Sequence, residues 1–220
     1  NSSNLEELKQ KILNSFDVDV LIVKCDITKQ EEIKNLIDLS FGFKGFLDGA
    51  INSAYPKSQK WGCLFEDLEA ENLKQDLYFQ LGSPIIFAKV ILKSFSKQGY
   101  GNLINISSIQ GINAPKFDHY EGTNMTSPIE YSAIKSGIIS ITKWLAKYYN
   151  NKNIRVNCIS PGGILENQPK SFLEKYRSSC SNIGMLSAEQ HISDSLVFLL
   201  SDVSKAINGQ NIIIDDGWSL

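Results

Sequence analysis

The chain has 220 residues, 42% of them hydrophobic, enough for one domain (1–220) with a substantial core. A formal charge of −2 provides no electrostatic basis for gripping nucleic acid or an anionic membrane surface. No apolar run approaches the ~20 residues of a membrane span, and no signal-peptide pattern is present.

In chain order, Leu5–Leu13 reads as a short amphipathic helix and Val18–Lys24 (V-D-V-L-I-V-K) as a buried strand. Thr28 then suits a helix N-cap, with Glu31 as the capping-box carboxylate three residues on. Leu47–Ile51 is a strand, and Tyr55–Leu64, with Pro56, Gly62 and no apolar period, is a loop over its end. A long helix is expected over Glu69–Gln98, a strand over Leu103–Ile106 and a loop over Ile109–Pro128. Pro128 suits the first turn of a helix that reaches about Asn150. Ile154–Ile159 is a strand, Gly162–Gly184 a polar stretch with a short helix, Glu189–Leu200 a helix and Asn211–Asp215 a last strand. There are no internal repeats or low-complexity segments.

The chemistry concentrates in Y-S-A-I-K. Tyr131 and Lys135 stand four residues apart, on one face of a helix. A phenol titrates near ~10 in water, and a positive charge beside it lowers that value toward the range useful for acid–base work. On its own the spacing is common on helix surfaces. Its surroundings add weight: Gly101–Gly111 is a strand ending in Ser107 and Ser108, Asn153–Ile164 a strand ending in a Pro-Gly turn, and Asp48–Ala54 a strand running into a small polar turn. Buried strands separated by helices, each with polar residues at its C-terminal end, describe an open parallel sheet, which binds ligands in the crevice beyond those ends. Cys25, Cys63, Cys158 and Cys180 have no C-x-x-C spacing, and Cys25 and Cys158, in strand-like runs, read as buried free thiols, which fits a reducing cytoplasm; His119 and His191 lack metal-ligand spacing, so no metal is expected.

Together these segments, from about Val20 to Leu220, resemble the short-chain dehydrogenase/reductase family, in its shorter branch. The resemblance implies a Rossmann-type, doubly wound α/β fold, with Tyr131 as acid/base, Lys135 lowering its pKa and bonding the nicotinamide ribose, and Ser108 orienting the substrate oxygen. It also implies an NAD or NADP site at Asp26 and Ile27 near the adenine, Asn52, Ser53 and Ala54 along the cofactor, and Pro161, Gly162 and Ile164 beside the carboxamide. The tail N-G-Q-N-I-I-I-D-D-G (Asn208–Gly217) matches the family's last strand.

The family's opening strand and T-G-x-x-x-G-x-G loop have no counterpart, so the first two strands are expected to be lacking and the chain to be an N-terminally incomplete form of a longer enzyme. In the family's strand order, Val20–Val23 and Leu47–Ile51 would then sit roughly 14 Å apart with unpaired edges. The family's helix asparagine aligns with Phe79; Gln80 is either its substitute or a plain helix-surface residue. Ser108 and Tyr131 lie 23 positions apart, about twice the family's usual separation. The added segment Pro115–Ser127 is either a surface loop or a specificity loop whose Asp118, His119, Tyr120 and Glu121 meet substrate hydroxyls. Tyr55 replaces a family glycine and places an aromatic ring at the same mouth, and Glu166 stands where the family often has threonine.

Polar mouth loops point to a sugar-like alcohol or ketone as the small-molecule partner. The strings S-S-I-Q-G-I-N-A-P, P-I-E-Y-S-A-I-K and P-G-G-I-L-E-N-Q-P also resemble oxidoreductases of bacterial flagellin glycosylation and nonulosonic-acid synthesis, which implies a sugar-phosphate or nucleotide-sugar substrate. By the same resemblance a homodimer or homotetramer would form through the two long helices. The competing readings are a sugar-nucleotide dehydratase or epimerase, and a non-catalytic subunit.

Overall fold

A computed structural model describes residues 2–220. The elements, in order, are α1 (Ser2–Ser15), α2 (Gln30–Lys44), β1 (Gly49–Asn52), α3 (Ala70–Leu77), α4 (Ser83–Gln98), β2 (Gly101–Ile106), α5 (Ile129–Tyr148), β3 (Ile154–Pro161), α6 (Lys170–Ser178), α7 (Ser193–Leu200) and β4 (Asn211–Ile214). The four strands form one parallel sheet in the order β1-β2-β3-β4, with Leu103 opposite Val156 and Ile106 opposite Ile159.

Alternation along the two central strands supplies both cores. Leu103, Ile154 and Val156 pack against Ile91, Leu92 and Phe95 of α4 and Ile33 and Ile37 of α2. Their neighbours Ile104 and Ile159 face the other way, onto Leu186, Ile192 and Leu199. A parallel strand covered on both faces needs such a nearly unbroken apolar run. Arg155 ties the second layer together: its guanidinium donates to the carbonyls of Leu199, Ser201, Ser204 and Ile207, satisfying groups left open at the end of α7.

Three expectations need correction. Val18–Lys24 joins no sheet and has no regular structure. Its apolar alternation is that of a strand, but a strand is stable only beside another, and β1 pairs with β2 alone. Between this segment, α1 and β1 runs an apolar groove of about 610 Å³. At the head of α2, Lys29 rather than Thr28 is the N-cap, with no side-chain cap. The turn is held instead by Asp26, whose Oδ1 accepts from the Thr28 amide (3.0 Å) and hydroxyl (2.7 Å), and by Glu32, which accepts from the Asp26 amide (2.7 Å). An Asx turn outcompetes the capping box here.

The long helix over Glu69–Gln98 is interrupted by a π-turn at Tyr78–Gly82. The extra residue in that turn rotates α4 relative to α3, and such turns cluster at functional sites. Gly99, at φ 94°, closes α4 in the left-handed conformation open to glycine and feeds directly into β2.

Candidate active site

The C-terminal end of β2 delivers two serines to the N-terminal half of α5. Ser107 donates from its backbone to the Ile159 carbonyl (2.8 Å) and from its hydroxyl to the Lys135 carbonyl (2.7 Å). Ser108, fully extended at φ −163°, caps the short 3₁₀ turn Ile109–Gly111 by accepting from the Gln110 amide at 3.2 Å. Gly111 ends that turn flat against α5. A Cβ there would lie 2.6 Å from the Lys135 carbonyl carbon and 2.9 Å from the Ser136 nitrogen, so only glycine lets the turn seat. The Ser136 hydroxyl donates to the Gly111 carbonyl at 2.7 Å and completes the join. These contacts fix Ser108 relative to the helix.

Tyr131 and Lys135 lie one turn apart on α5, as expected. The Tyr131 ring is clasped edge-on by Tyr55 (5.9 Å between centroids) and Trp61 (6.1 Å), both from the loop after β1. Burial pushes its phenol pKa up, opposed by the neighbouring Ser108 hydroxyl. The expected lowering is therefore reversed in the free protein, and the phenol is a neutral acid at pH 7. Lys135 donates to the Ile106 carbonyl at 3.1 Å, and its ammonium lies 5.4 Å from the ring centroids of both Tyr131 and Tyr55. Burial pushes its pKa down to about 8.

Ser108, Tyr131 and Lys135 thus line one cavity of about 530 Å³. Pro161, Gly162 and Ile164 from the end of β3, and Ser53, line it too, whereas Asn52 and Ala54 border a smaller void beside it. Asp26 and Ile27 do not reach it: Asp26 holds its local turn and Ile27 packs against the first core. The smaller void, about 10 Å³, is bounded by Gln80, Asn105, Asn52 and Lys135. Both amide atoms of Gln80 and Oδ1 of Asn105 are buried there without a protein partner. Its size and polarity suit one water molecule. The π-turn carries Gln80 inward, so it is no surface residue.

The Pro115–Ser127 segment behaves differently from expectation. His119 lines the cavity but is 2% exposed, boxed by Phe172, Tyr176 and Trp218, and its Nε2 meets the Ser179 hydroxyl at 3.0 Å. Neither Asp118 nor Glu121 lines the cavity: Lys175 donates to the Asp118 backbone carbonyl and to the Glu121 carboxylate. Of these four residues, His119 and Tyr120 line the cavity. The lining also includes Tyr120, Phe172, Tyr176, Met185 and Trp218, brought together from three distant segments that no local pattern in the sequence links.

A family model described as enoyl-(acyl carrier protein) reductase, of the short-chain dehydrogenase type, matches residues 1–219. The chain belongs to the short-chain dehydrogenase/reductase family. Members of this family are NAD(P)-dependent oxidoreductases. Among relatives, a post-translational flagellin modification protein A of Campylobacter coli is 46% identical over all of this chain and 86% of its own. A 7alpha-hydroxysteroid dehydrogenase of Bacteroides fragilis is 27% identical over 94% of this chain and 78% of its own. A short-chain dehydrogenase of Leptospira borgpetersenii, crystallised with NAD+, superposes with a TM-score of 0.81 at 31% identity, covering 93% of this chain and 79% of that one.

The residues present fit the nicotinamide end of such a cofactor. Ser53, Pro161, Gly162 and Ile164 line the cavity together with Lys135, whose ammonium offers further donors beyond the bond to the Ile106 carbonyl. The family's glycine-rich phosphate loop does not occur in the sequence.

Proposed function

We propose that the protein carries out reversible hydride transfer between NAD(P)(H) and a polar, sugar-derived alcohol or ketone. The observation that carries this reading is the convergence of Ser108, Tyr131 and Lys135 on one ligand-sized cavity, with the Lys135 ammonium 5.4 Å from the Tyr131 ring centroid. Nicotinamide, when bound, supplies or takes up the hydride. The chain's own groups handle the oxygen. In reduction, Ser108 and Tyr131 donate hydrogen bonds to the substrate carbonyl, and Tyr131 passes its proton to that oxygen as charge develops on it. A phenol held neutral by burial suits this direction. In oxidation Tyr131 must take the proton instead, and Lys135, still mostly protonated at pH 7, opposes the cost of the phenolate.

Support for a polar substrate comes from Gln110, Tyr120 and Gln168 among the cavity's lining residues, and from the similarity to a flagellin modification protein. In this reading the adenine end of the cofactor reaches Asp26 and Ile27, and Asn52, Ser53 and Ala54 border its path. The exposed apolar residues of α4 and α5, among them Ile85, Ile129 and Trp144, support a homodimer or homotetramer, and the four free thiols support a cytoplasmic setting.

Tyr131→Phe should lower kcat by ~10²–10⁴-fold while sparing NAD(H) affinity. Retained turnover, measured by NADH absorbance, would refute the assignment.

A further inference from the structure

Asp76, near the end of α3, is 1% exposed, and among the described residues no lysine or arginine pairs with it. A buried carboxylate without a countercharge is costly unless hydrogen bonds hold it. Both of its bonds come from one residue. The Ser58 amide donates to Oδ1 at 2.8 Å and the Ser58 hydroxyl to Oδ2 at 2.7 Å. Ser58 is buried as well, so water screens the pair poorly.

Ser58 stands midway between Tyr55 and Trp61 in the loop after β1, and its carbonyl accepts from the Trp61 amide at 3.4 Å. The two aromatic rings meet edge-on, 5.6 Å between centroids, and both bear on the Tyr131 ring. The Lys135 ammonium is 5.4 Å from the Tyr55 and Tyr131 centroids alike, so Tyr55 forms one side of the lysine's seat. A second tie between loop and α3 region, Lys60 to Glu69 at 2.6 Å, is exposed on both sides and correspondingly weak. The buried tie is the one that can hold the loop to a fixed position.

We propose that Asp76 is a positioning residue: through Ser58 it holds Tyr55 and Trp61 against Tyr131 and Lys135, and so fixes the attitude of the phenol that exchanges the proton. The inference rests on the oxidoreductase reading and adds to it a residue that lines neither the cavity nor the void beside it. Asp76 acts through the loop alone. A phenol whose ring can tilt loses the alignment that proton transfer requires, at a cost in kcat rather than in binding.

The test compares Asp76→Ala, Asp76→Asn and Ser58→Ala with the wild type, and Glu69→Gln, which cuts the exposed tie, serves as the control. Asparagine keeps an oxygen for the Ser58 amide and presents an N–H to the Ser58 hydroxyl, so it should restore most of what alanine removes. The probe ketones are dihydroxyacetone and 4-hydroxycyclohexanone, each with NADH and with NADPH. In Asp76→Ala, kcat should fall about 10- to 100-fold with KM changed less than about threefold. Ser58→Ala, which loses one bond of the two, should lose about 3- to 10-fold in kcat, while Asp76→Asn and Glu69→Gln stay within about threefold of the wild type. In protein labelled with 5-fluorotryptophan, the ¹⁹F signal of Trp61, identified by its loss in Trp61→Phe, should move or broaden in Asp76→Ala and Ser58→Ala and keep its place in Asp76→Asn. Ser58→Ala leaves the buried carboxylate in place and decides the matter where Asp76→Ala folds poorly. An unmoved Trp61 signal, an unchanged kcat in Ser58→Ala, or equal losses in Asp76→Asn and Asp76→Ala overturns the inference and leaves the oxidoreductase reading standing. Absence of wild-type turnover on both ketones with either cofactor sinks that reading, and the positioning role with it.

Discussion

At the centre of the sheet Leu103, Ile104, Val156 and Ile159 are fully shielded from solvent, whereas in the N-terminal flank Phe16, Val18, Leu21, Phe43 and Phe46 are each more than 40% exposed. The two regions use the same kinds of residue. What separates them is the hydrogen-bond ladder: β2 and β3 each have strand neighbours on both sides, while Val18–Lys24 has none and β1 is paired on one edge only. Apolar content becomes core only where the backbone polar groups are also satisfied. Ser108, Tyr131 and Lys135, the proposed reacting groups, are all attached to the satisfied region, which holds them to one geometry.

The sharpest way to break that contrast is to disturb the join between the centre and α5. Gly111→Ala forces a Cβ into the backbone of Lys135 and Ser136, so the turn carrying Ser108 must shift. We expect a loss of about 1–3 kcal/mol in denaturant melts and, because small misplacements of reacting groups are costly, a drop of about 100-fold or more in kcat/KM. Unchanged turnover would show that the turn does not position Ser108.

Much of this centre was legible in the sequence because it is encoded locally. The apolar runs of β2 and β3, the serine pair and the Tyr131–Lys135 spacing each sit within one short segment. Three features were not. Val18–Lys24 has the composition of a strand, but composition says nothing about a neighbour. The turn that carries Gln80 inward depends on one residue's extra winding, which leaves no mark on the apolar period. The aromatic part of the cavity lining draws on Tyr120, Tyr176 and Trp218, so its existence depends on tertiary packing alone. His119 misled for the same reason: its polarity suggested a ligand contact, whereas Ser179 and three aromatic rings enclose it.

Next in size is the alkaline limb of activity. Lys135 sheds its proton in the folded protein near pH 8 rather than near 10.5. If its charge is needed, kcat/KM should fall about tenfold per pH unit above that point. The effect on stability has the opposite sign. Between about pH 8 and 10.5 the unfolded chain binds the proton that the folded chain has lost, so the wild type gains stability as pH rises through that window. Lys135→Met lacks this gain. The stability difference between the two, from urea melts at pH 7 and pH 10, should shift toward the wild type by roughly 1–3 kcal/mol. A difference independent of pH would place the lysine's titration elsewhere.

A smaller effect, about tenfold, is expected at Gln80, where position and stability are separable. Replacing it with leucine removes two buried amide atoms that lack protein partners, so stability should hold or rise. If the void beside Lys135 holds a water that communicates with the lysine, kcat should nevertheless fall about tenfold with KM little changed. Loss of stability together with unaltered kcat would reduce Gln80 to packing.

The flank should respond least. Its Lys44–Asp19 pair is short, 2.5 Å, but 52% and 68% of the two side chains is exposed to water, where attraction is screened and ordering long side chains offsets the gain. Asp19→Asn should move the melting temperature by less than about 2 °C and leave turnover unaltered. Amide hydrogen exchange gives the same comparison without substitution: 18–24 should exchange within the dead time while 103–106 and 156–159 persist to global unfolding. Strong protection of 18–24 would mean that the segment has a backbone partner after all, and that the flank belongs to the cooperative unit supporting the reacting groups.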